Sequence, residues 1–288
     1  MDYIYHLVTF IAIYTILASS LNLFSGYTGL LSLSHAGFYG IGAYTTALLS
    51  QNYGVSPLLG FPIAIIITAI VAYFISFIAL RTYEDYFVVV TLGIQIIIYS
   101  LMNNLTDVTN GPLGIVGIES FSFLPNNLSF MLFSIAIASL IYYLLYNFSK
   151  SHYALNLKGI KEDEVYMKSL GKDVKKMKIE VFVISASIAS TAGVLYAHYI
   201  SYIDPTSFTV DESIYILSIV IIGGLGSLRG AFLASAFMVL LPEILRFVGL
   251  PDSIAANMRQ IIYGLILIGV IIWQEKKYKY LETTTPKH

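Results

Sequence analysis

From Leu58 to Leu80 the chain runs for twenty-three residues without a charge, and eight further stretches are nearly as apolar. A run of that length matches the roughly 20 residues a helix needs to cross about 30 Å of hydrocarbon. The spans read as Leu7–Phe24, Leu30–Ser50, Leu58–Leu80, Tyr86–Met102, Leu128–Tyr146, Ile179–Ile200, Ile214–Ile222, Ala231–Val248 and Ile261–Trp273. The seventh is too short to cross alone at about 1.5 Å per residue, so it belongs to a broken helix. Only 11% of residues are charged, against about 25% in soluble chains, and mean hydropathy is +0.77. Transmembrane β-strands would alternate over about ten residues, and no such pattern is present. The expectation is an all-α fold: one polytopic transmembrane helical bundle over residues 1–288, with about eight to ten spans.

Lys and Arg placement sets the orientation. Half of the sixteen basic residues lie between Lys150 and Lys178, and Lys276, Lys277, Lys279 and Lys287 follow the last span. The loop 147–178 and the tail 274–288 are therefore expected in the cytoplasm, and Arg81 agrees. Segments 103–127 and 201–213 carry Asp107, Glu119, Asp204, Asp211 and Glu212 without Lys or Arg, so they are expected outside. Nine crossings, with the N-terminus outside and the C-terminus inside, satisfy every loop. Tyr53, Tyr86, Tyr146, Tyr199, Tyr202 and Trp273 sit near span ends, as an interfacial belt requires. Residues 1–6 lack Lys and Arg, so the first span is expected to stay in place rather than be cleaved as a signal.

Within the loop 147–178 the residues spell a short helix. Glu162, Asp163 and Glu164 suit a helix start, and Lys168 follows Glu164 by four. Gly171 can end the helix in a left-handed conformation, and Asp173 can cap the next one. Ile160, Met167 and Leu170 would then offer an apolar patch to a groove on a soluble partner. The alternative is an ordinary solvated loop that only sets topology.

Two Gly-rich interruptions punctuate the spans. Gly26, Gly29, Gly37, Gly40 and Gly42 fall around the second, and Gly223, Gly224, Gly226 and Gly230 fall after the seventh. Both contain G-x-x-G after an apolar run, a weak sign of an internal repeat. Paired interruptions point to a translocation path, because unwound backbone survives at membrane depth only where protein or water satisfies it. Close helix packing is the competing explanation. On the sixth span Ser185, Ala189, Gly193 and Ala197 recur every four residues, a ridge that admits another helix, internal or from a partner.

Polar residues at membrane depth are the candidate path residues. Asn22 and Gln95 read chiefly as interhelical hydrogen-bond formers, whereas His35, beside the first glycine cluster, is a candidate to line the path. With Gly26, Gly29, Gly223 and Gly226 they make up the expected path set. His198 reads as a polar end-group near the outer interface, and Glu243 with Arg246 as a structural pair. There is no Cys, no metal-ligand spacing and no catalytic triad. No G-x-x-x-x-G-K-[ST] occurs, so the chain has no P-loop of its own. Gly224-Leu-Gly226 lacks the third glycine of a dinucleotide fingerprint. A net charge of −1 gives no footprint for nucleic acid.

Six motifs carry a family likeness. Gly26-Tyr-Thr-Gly-Leu-Leu-Ser-Leu-Ser-His35-Ala-Gly-Phe-Tyr-Gly-Ile-Gly-Ala-Tyr44 resembles the N-terminal signature of LivM-type permeases of branched-chain amino acid ABC importers. Thr109-Asn-Gly-Pro-Leu-Gly114 is similar to their outer-loop element, and Ile160-Lys-Glu-Asp-Glu164 with Leu170-Gly171 to their cytoplasmic coupling segment. Tyr196-Ala-His-Tyr199 through Pro205–Phe208, Gly223–Gly230 and Leu241-Pro-Glu243 continue the likeness in the family's order. Val165, Tyr166 and Met167 replace small residues found in many members, and Arg229 stands where an aromatic is frequent.

The resemblance implies a permease of a prokaryotic inner membrane that works by alternating access on leucine, isoleucine or valine. Urea, short amides or other amino acids are the substrates of related permeases. It implies a second homologous permease and an extracytoplasmic amino-acid-binding protein. It also implies two cytoplasmic ATP-binding subunits, which hold the ATP and would press on Ile160, Glu162, Glu164, Met167, Leu170 and Gly171. An ion-coupled secondary transporter is the rival from another class, and it requires a buried mid-span Asp or Glu. The sequence offers none that is convincing. An intramembrane enzyme would need a His, Asp or Glu constellation in the core, which is also missing.

Overall fold

The computed structural model describes residues 2–82, 84–247, 264–265 and 268–269. Apart from 264–265 and 268–269 the expected ninth span lies outside the described residues, as do the 274–288 tail and the Arg246 side chain. In chain order the helices are α1 (Asp2–Thr28), α2 (His35–Tyr53), α3 (Pro57–Ala79), α4 (Glu84–Asn104), α5 (Thr106–Thr109) and α6 (Asn127–Ser149). They continue as α7 (His152–Glu162), α8 (Glu164–Ser169), α9 (Val174–Ile200), α10 (Val210–Gly223) and α11 (Leu228–Phe247). Five of them (α1, α3, α4, α6, α9) contain stretches long and apolar enough to cross a membrane. Among the described residues one small sheet pairs β1 (Ile115–Val116) with β2 (Tyr202–Ile203), antiparallel, and ties together the two segments expected outside.

The centre of the bundle is α1, packed by α6, α9, α10 and α11 and buried continuously from Thr15 to Thr28. Around it α2, α3 and α9 approach closely because their contacting faces are small. On α3 the buried residues are Pro57, Gly60, Ala64, Thr68, Ala72, Ser76 and Ala79. Its opposite face exposes Ile66, Ile70, Phe74 and Ile78, an aliphatic surface suited to lipid. The Ser185–Ala197 ridge of α9 is met by α2 of the same chain. A Cβ on Gly193 would lie 2.0 Å from the Tyr39 carbonyl oxygen, so no larger residue fits there.

Helix heights follow from cross-contacts. Ser227, Ser235 and Glu243 of α11 and the turn before it meet Asn22, Tyr14 and Tyr3 of α1 in that order, so the two helices run antiparallel. The α7–α8 hairpin sits at the Thr28 end of α1, while His6 meets Tyr199 at the other end. The charged loop and the N-terminus are thus on opposite sides of the bundle. The second span starts at His35, later than Leu30: residues 29–34 are not helical, and the amides of Leu30, Leu33 and Ser34 donate to the Thr28, Thr91 and Ser32 hydroxyls. The short seventh span is α10, 14 residues long, which turns back at Gly224 into α11.

Candidate functional site

The two glycine interruptions meet. Asn22, only 1% exposed, bridges them: its Nδ2 donates to the Ser227 carbonyl at 2.9 Å and its Oδ1 accepts from Gly226 N at 2.7 Å. Gly226 adopts φ 87°, which an L side chain rarely tolerates. Gly26 packs against it so closely that an added Cβ would stand 2.4 Å from Gly226 N. Gly29 lies one turn on, under the Lys161 side chain, whose Cγ would be 3.2 Å from a Cβ there. The Lys161 ammonium, from α7, donates to the Gly26 carbonyl at 3.1 Å. Asn22, Gly26, Gly29 and Gly226 therefore form one junction, and the charged hairpin reaches into it. Gly223 stands apart and allows α10 to cross Gly230 of α11 at backbone contact.

His35 and Gln95 belong to a second knot, at the start of α2. That helix begins inside the bundle, so its first amides need partners away from water. Ala36 N donates to Ser213 Oγ at 3.1 Å and Gly37 N to Gln95 Oε1 at 2.6 Å. Gln95 Nε2 donates in turn to the Phe208 carbonyl at 2.7 Å, and Leu33 N to Thr91 Oγ1 at 3.1 Å. His35 Nε2 lies 3.1 Å from Ser185 Oγ, which also donates to the Ser20 carbonyl. His35 and Gln95 are both fully enclosed. They hold a broken helix end in place.

The charged loop folds as a hairpin of two helices with the expected grammar, shifted at one point. Glu162 closes α7 and does not open α8; Asp163 is the cap, accepting from Tyr166 N at 2.8 Å. Asp173 caps α9 by accepting from Lys176 N at 3.0 Å, and Gly171 ends α8 at φ 75°. Glu164 pairs with Lys168 at 2.8 Å and Lys178 at 2.6 Å. Partial burial would raise its carboxyl, but the two ammonium groups hold it below the usual carboxylate value. The apolar patch needs correction. Ile160 and Met167 are buried under the hairpin, and Met167 Sδ rests on Gly159. The exposed apolar side chains are Val165, Tyr166 and Leu170 along α8 and its end, at 76%, 60% and 54%, and Leu155 on α7.

Two further placements, those of His198 and Glu212, differ from the sequence reading. His198 is no end-group: it is 1% exposed, 2.7 Å from Thr46 Oγ1 through Nε2, with Nδ1 on the Glu119 carbonyl. Glu243 accepts from the Tyr3 hydroxyl. Glu212 is not on an outer loop. Its Oε1 accepts from the Tyr14 hydroxyl at 2.8 Å, and Tyr14 is twelve residues, about 18 Å, along a helix about 40 Å long. The segment 205–213 dips inward because the Phe208 carbonyl is anchored on Gln95, itself mid-way along α4. A carboxylate therefore stands near mid-depth, where the sequence predicted none.

Sequence reasoning missed Lys161, Ser185, Ser213, Tyr14 and Glu212. Lys161 carried a signal, as a basic residue within the likeness to the coupling segment; the others needed the packed helices. A separate cleft of about 650 Å³ lies between α1, α6 and α11, lined by apolar residues such as Ile11, Ile135 and Leu233 with Arg229 at its edge. It includes neither polar knot. Among the described residues no group of three His, Asp or Glu is placed to hold a metal.

Broken helices whose ends are bound at depth inside an apolar bundle, with a polar hairpin locked onto them, define a polytopic membrane permease. Residues 3–271 match the family described as the permease component of branched-chain amino acid transport systems, and the chain belongs to that family. It is 31% identical over 293 residues to the high-affinity branched-chain amino acid transport system permease protein LivM of Escherichia coli (strain K12), covering 92% of this chain and 67% of that one. It is 24% identical to the probable LivM of Methanocaldococcus jannaschii, over 85% and 82% of the two chains. It is also 25% identical to that organism's probable LivH, over 81% and 76%. Its relatives thus include both of two differently named permeases. No solved structure matches the chain.

Proposed function

We propose that this chain is the membrane-spanning subunit of an ATP-driven importer of leucine, isoleucine and valine, working by alternating access. The observation that carries the reading is the Lys161 bridge from α7 to the Gly26 carbonyl, at the point where the glycine interruptions meet. A push on the exposed Val165–Leu170 edge of α8 reaches that junction through one short rigid helix. The pusher would be a cytoplasmic ATP-binding subunit, one of two, and the chain itself would hold no nucleotide. A second homologous permease would complete the path, as the presence of LivM and LivH proteins among the relatives supports. An extracytoplasmic binding protein would dock on the opposite side, near β1–β2. The membrane would be a prokaryotic inner membrane, with the N-terminus outside.

The test is to co-express the chain with its neighbouring permease and ATPase chains, purify in mild detergent and reconstitute in proteoliposomes. Stoichiometric ATPase and ATP-dependent leucine uptake are expected. Uptake driven by an ion gradient without any ATPase would overturn the reading. Glu212 at mid-depth favours that second reading, since ion-coupled carriers use such carboxylates. The same vesicles separate the two.

A further inference from the structure

We propose that Glu212 and the aromatic rings beside it form the subsite that receives the ammonium group of the amino acid on its way through the permease. The proposal rests on the transport reading above and names where the substrate's charged end is held. A carboxylate at mid-depth is costly unless it is paired or faces a polar path. Glu212 has one neutral partner, the Tyr14 hydroxyl, on Oε1. Among the described residues no Lys, Arg or His is in ion-pair range of it, and Oε2 accepts no hydrogen bond. It stands in the first turn of α10, where a negative charge is attracted to the helix N-terminus. A carboxyl so placed, with no cationic side chain beside it among the described residues, calls for a cation that comes and goes.

The surroundings select which cation. The Tyr215 ring packs edge-on against Tyr14 at 5.2 Å, and Phe10 lies 6.3 Å from Tyr14 and 6.2 Å from Tyr196. Glu212, Tyr14, Phe10, Tyr196 and Tyr215 are all partly exposed, on a face unlike the aliphatic one that α3 presents. Ring faces and a carboxylate together suit an organic ammonium, through ion pairing and cation–π attraction. A bare metal ion would instead require several oxygen ligands. The aromatic wall gives the aliphatic part of the substrate a surface of matching polarity.

The experiment uses the reconstituted complex of this chain with its permease and ATPase partners, without the binding protein. Isoamylammonium (leucine's side chain and ammonium without the carboxylate) and isocaproate (the skeleton without the ammonium) serve as probes. The expected result is thermal stabilisation of the wild-type complex by isoamylammonium and none by isocaproate. Glu212→Gln keeps the hydrogen bond to Tyr14 but should abolish that stabilisation. It should also raise the KM for leucine uptake by about ten- to a hundredfold, the loss expected for a charge-assisted bond. Glu212→Asp, which keeps the charge but withdraws it, should fall between. Equal stabilisation by both probes, or wild-type KM in Glu212→Gln, overturns the subsite. If Glu212→Gln fails to assemble, the wild-type probe comparison alone decides. Should the wild type import no leucine while isoamylammonium still binds through Glu212, the transport reading falls and the ammonium site stands.

Discussion

Replacing Gly26 with Ala adds one methyl group at the point where α1 touches the 224–227 turn. The new Cβ would stand 2.4 Å from Gly226 N, 2.6 Å from Asn22 Oδ1 and 2.8 Å from Gly226 Cα. Ordinary carbon contacts are about 3.5–4.0 Å, so helix and turn must part by about 1 Å. Two of the three close atoms are backbone, which cannot rotate away. Overpacking of this kind costs about 1–3 kcal/mol. The parting also breaks both Asn22 bonds, each worth about 0.6 kcal/mol in a membrane and at most about 1.7. The total is about 2–6 kcal/mol, and even its lower end shifts the closed junction by about thirtyfold at 1.4 kcal/mol per decade. The assay is leucine uptake per ATP hydrolysed in reconstituted vesicles: hydrolysis should continue while uptake falls at least tenfold. Asn22→Ala removes the bonds without adding bulk and should fall at the low end of the range. Wild-type uptake per ATP in Gly26→Ala would refute the idea that this junction is part of the moving path.

Other expectations concern the hairpin and its supports. Lys161→Met keeps the stem over Gly29 but loses the bond to the Gly26 carbonyl, so ATPase binding should persist while uptake per ATP drops several-fold. Gly171→Val meets no neighbour, so its cost is the left-handed backbone alone, about 1–2 kcal/mol; Gly171→Asn should restore coupling, as measured by the same ratio. The Glu164 carboxyl is lowered in the folded hairpin. Its pairing therefore stabilises fully above the unfolded value of about 4.3 and is lost as pH falls through the folded value. Protection of the α8 amides in the purified complex, taken relative to intrinsic exchange at each pH, should fall on acidification below that range but not between neutral pH and about 6. His198→Leu strands the Thr46 hydroxyl and the Glu119 carbonyl, and should cost about 1–3 kcal/mol of thermal stability without changing substrate preference.

The legible parts of this protein are those written in local composition. Apolar length gave eight of the expected spans within a few residues of α1, α2, α3, α4, α6, α9, α10 and α11. The cap at Asp173, the stop at Gly171 and the Glu164–Lys168 pair followed from spacing alone, since each links residues within one turn of helix. The glycine interruptions were visible too, but not that they touch. The patch on the hairpin went wrong for a related reason. Apolar character marked Ile160 and Met167 as equals of Leu170, yet which residue faces outward depends on how the hairpin lies against α1 and α9.

The amino-acid sequence by itself determined a membrane-spanning helical bundle, the sidedness of its charged loop relative to its N-terminus, and the places where helices break. These follow from hydrophobic transfer and from backbone preferences, which act over a few residues at a time. Tertiary structure alone decided that Asn22 holds Gly226 and Ser227, that Lys161 reaches Gly26, and that Glu212 rises from an apparent loop to mid-depth beside Tyr14. Such pairs, more than one hundred positions apart, are fixed by the rotation and height of whole helices. A turn of about 100° or a slide of about 1.5 Å per residue changes every partner while leaving the hydropathy pattern untouched.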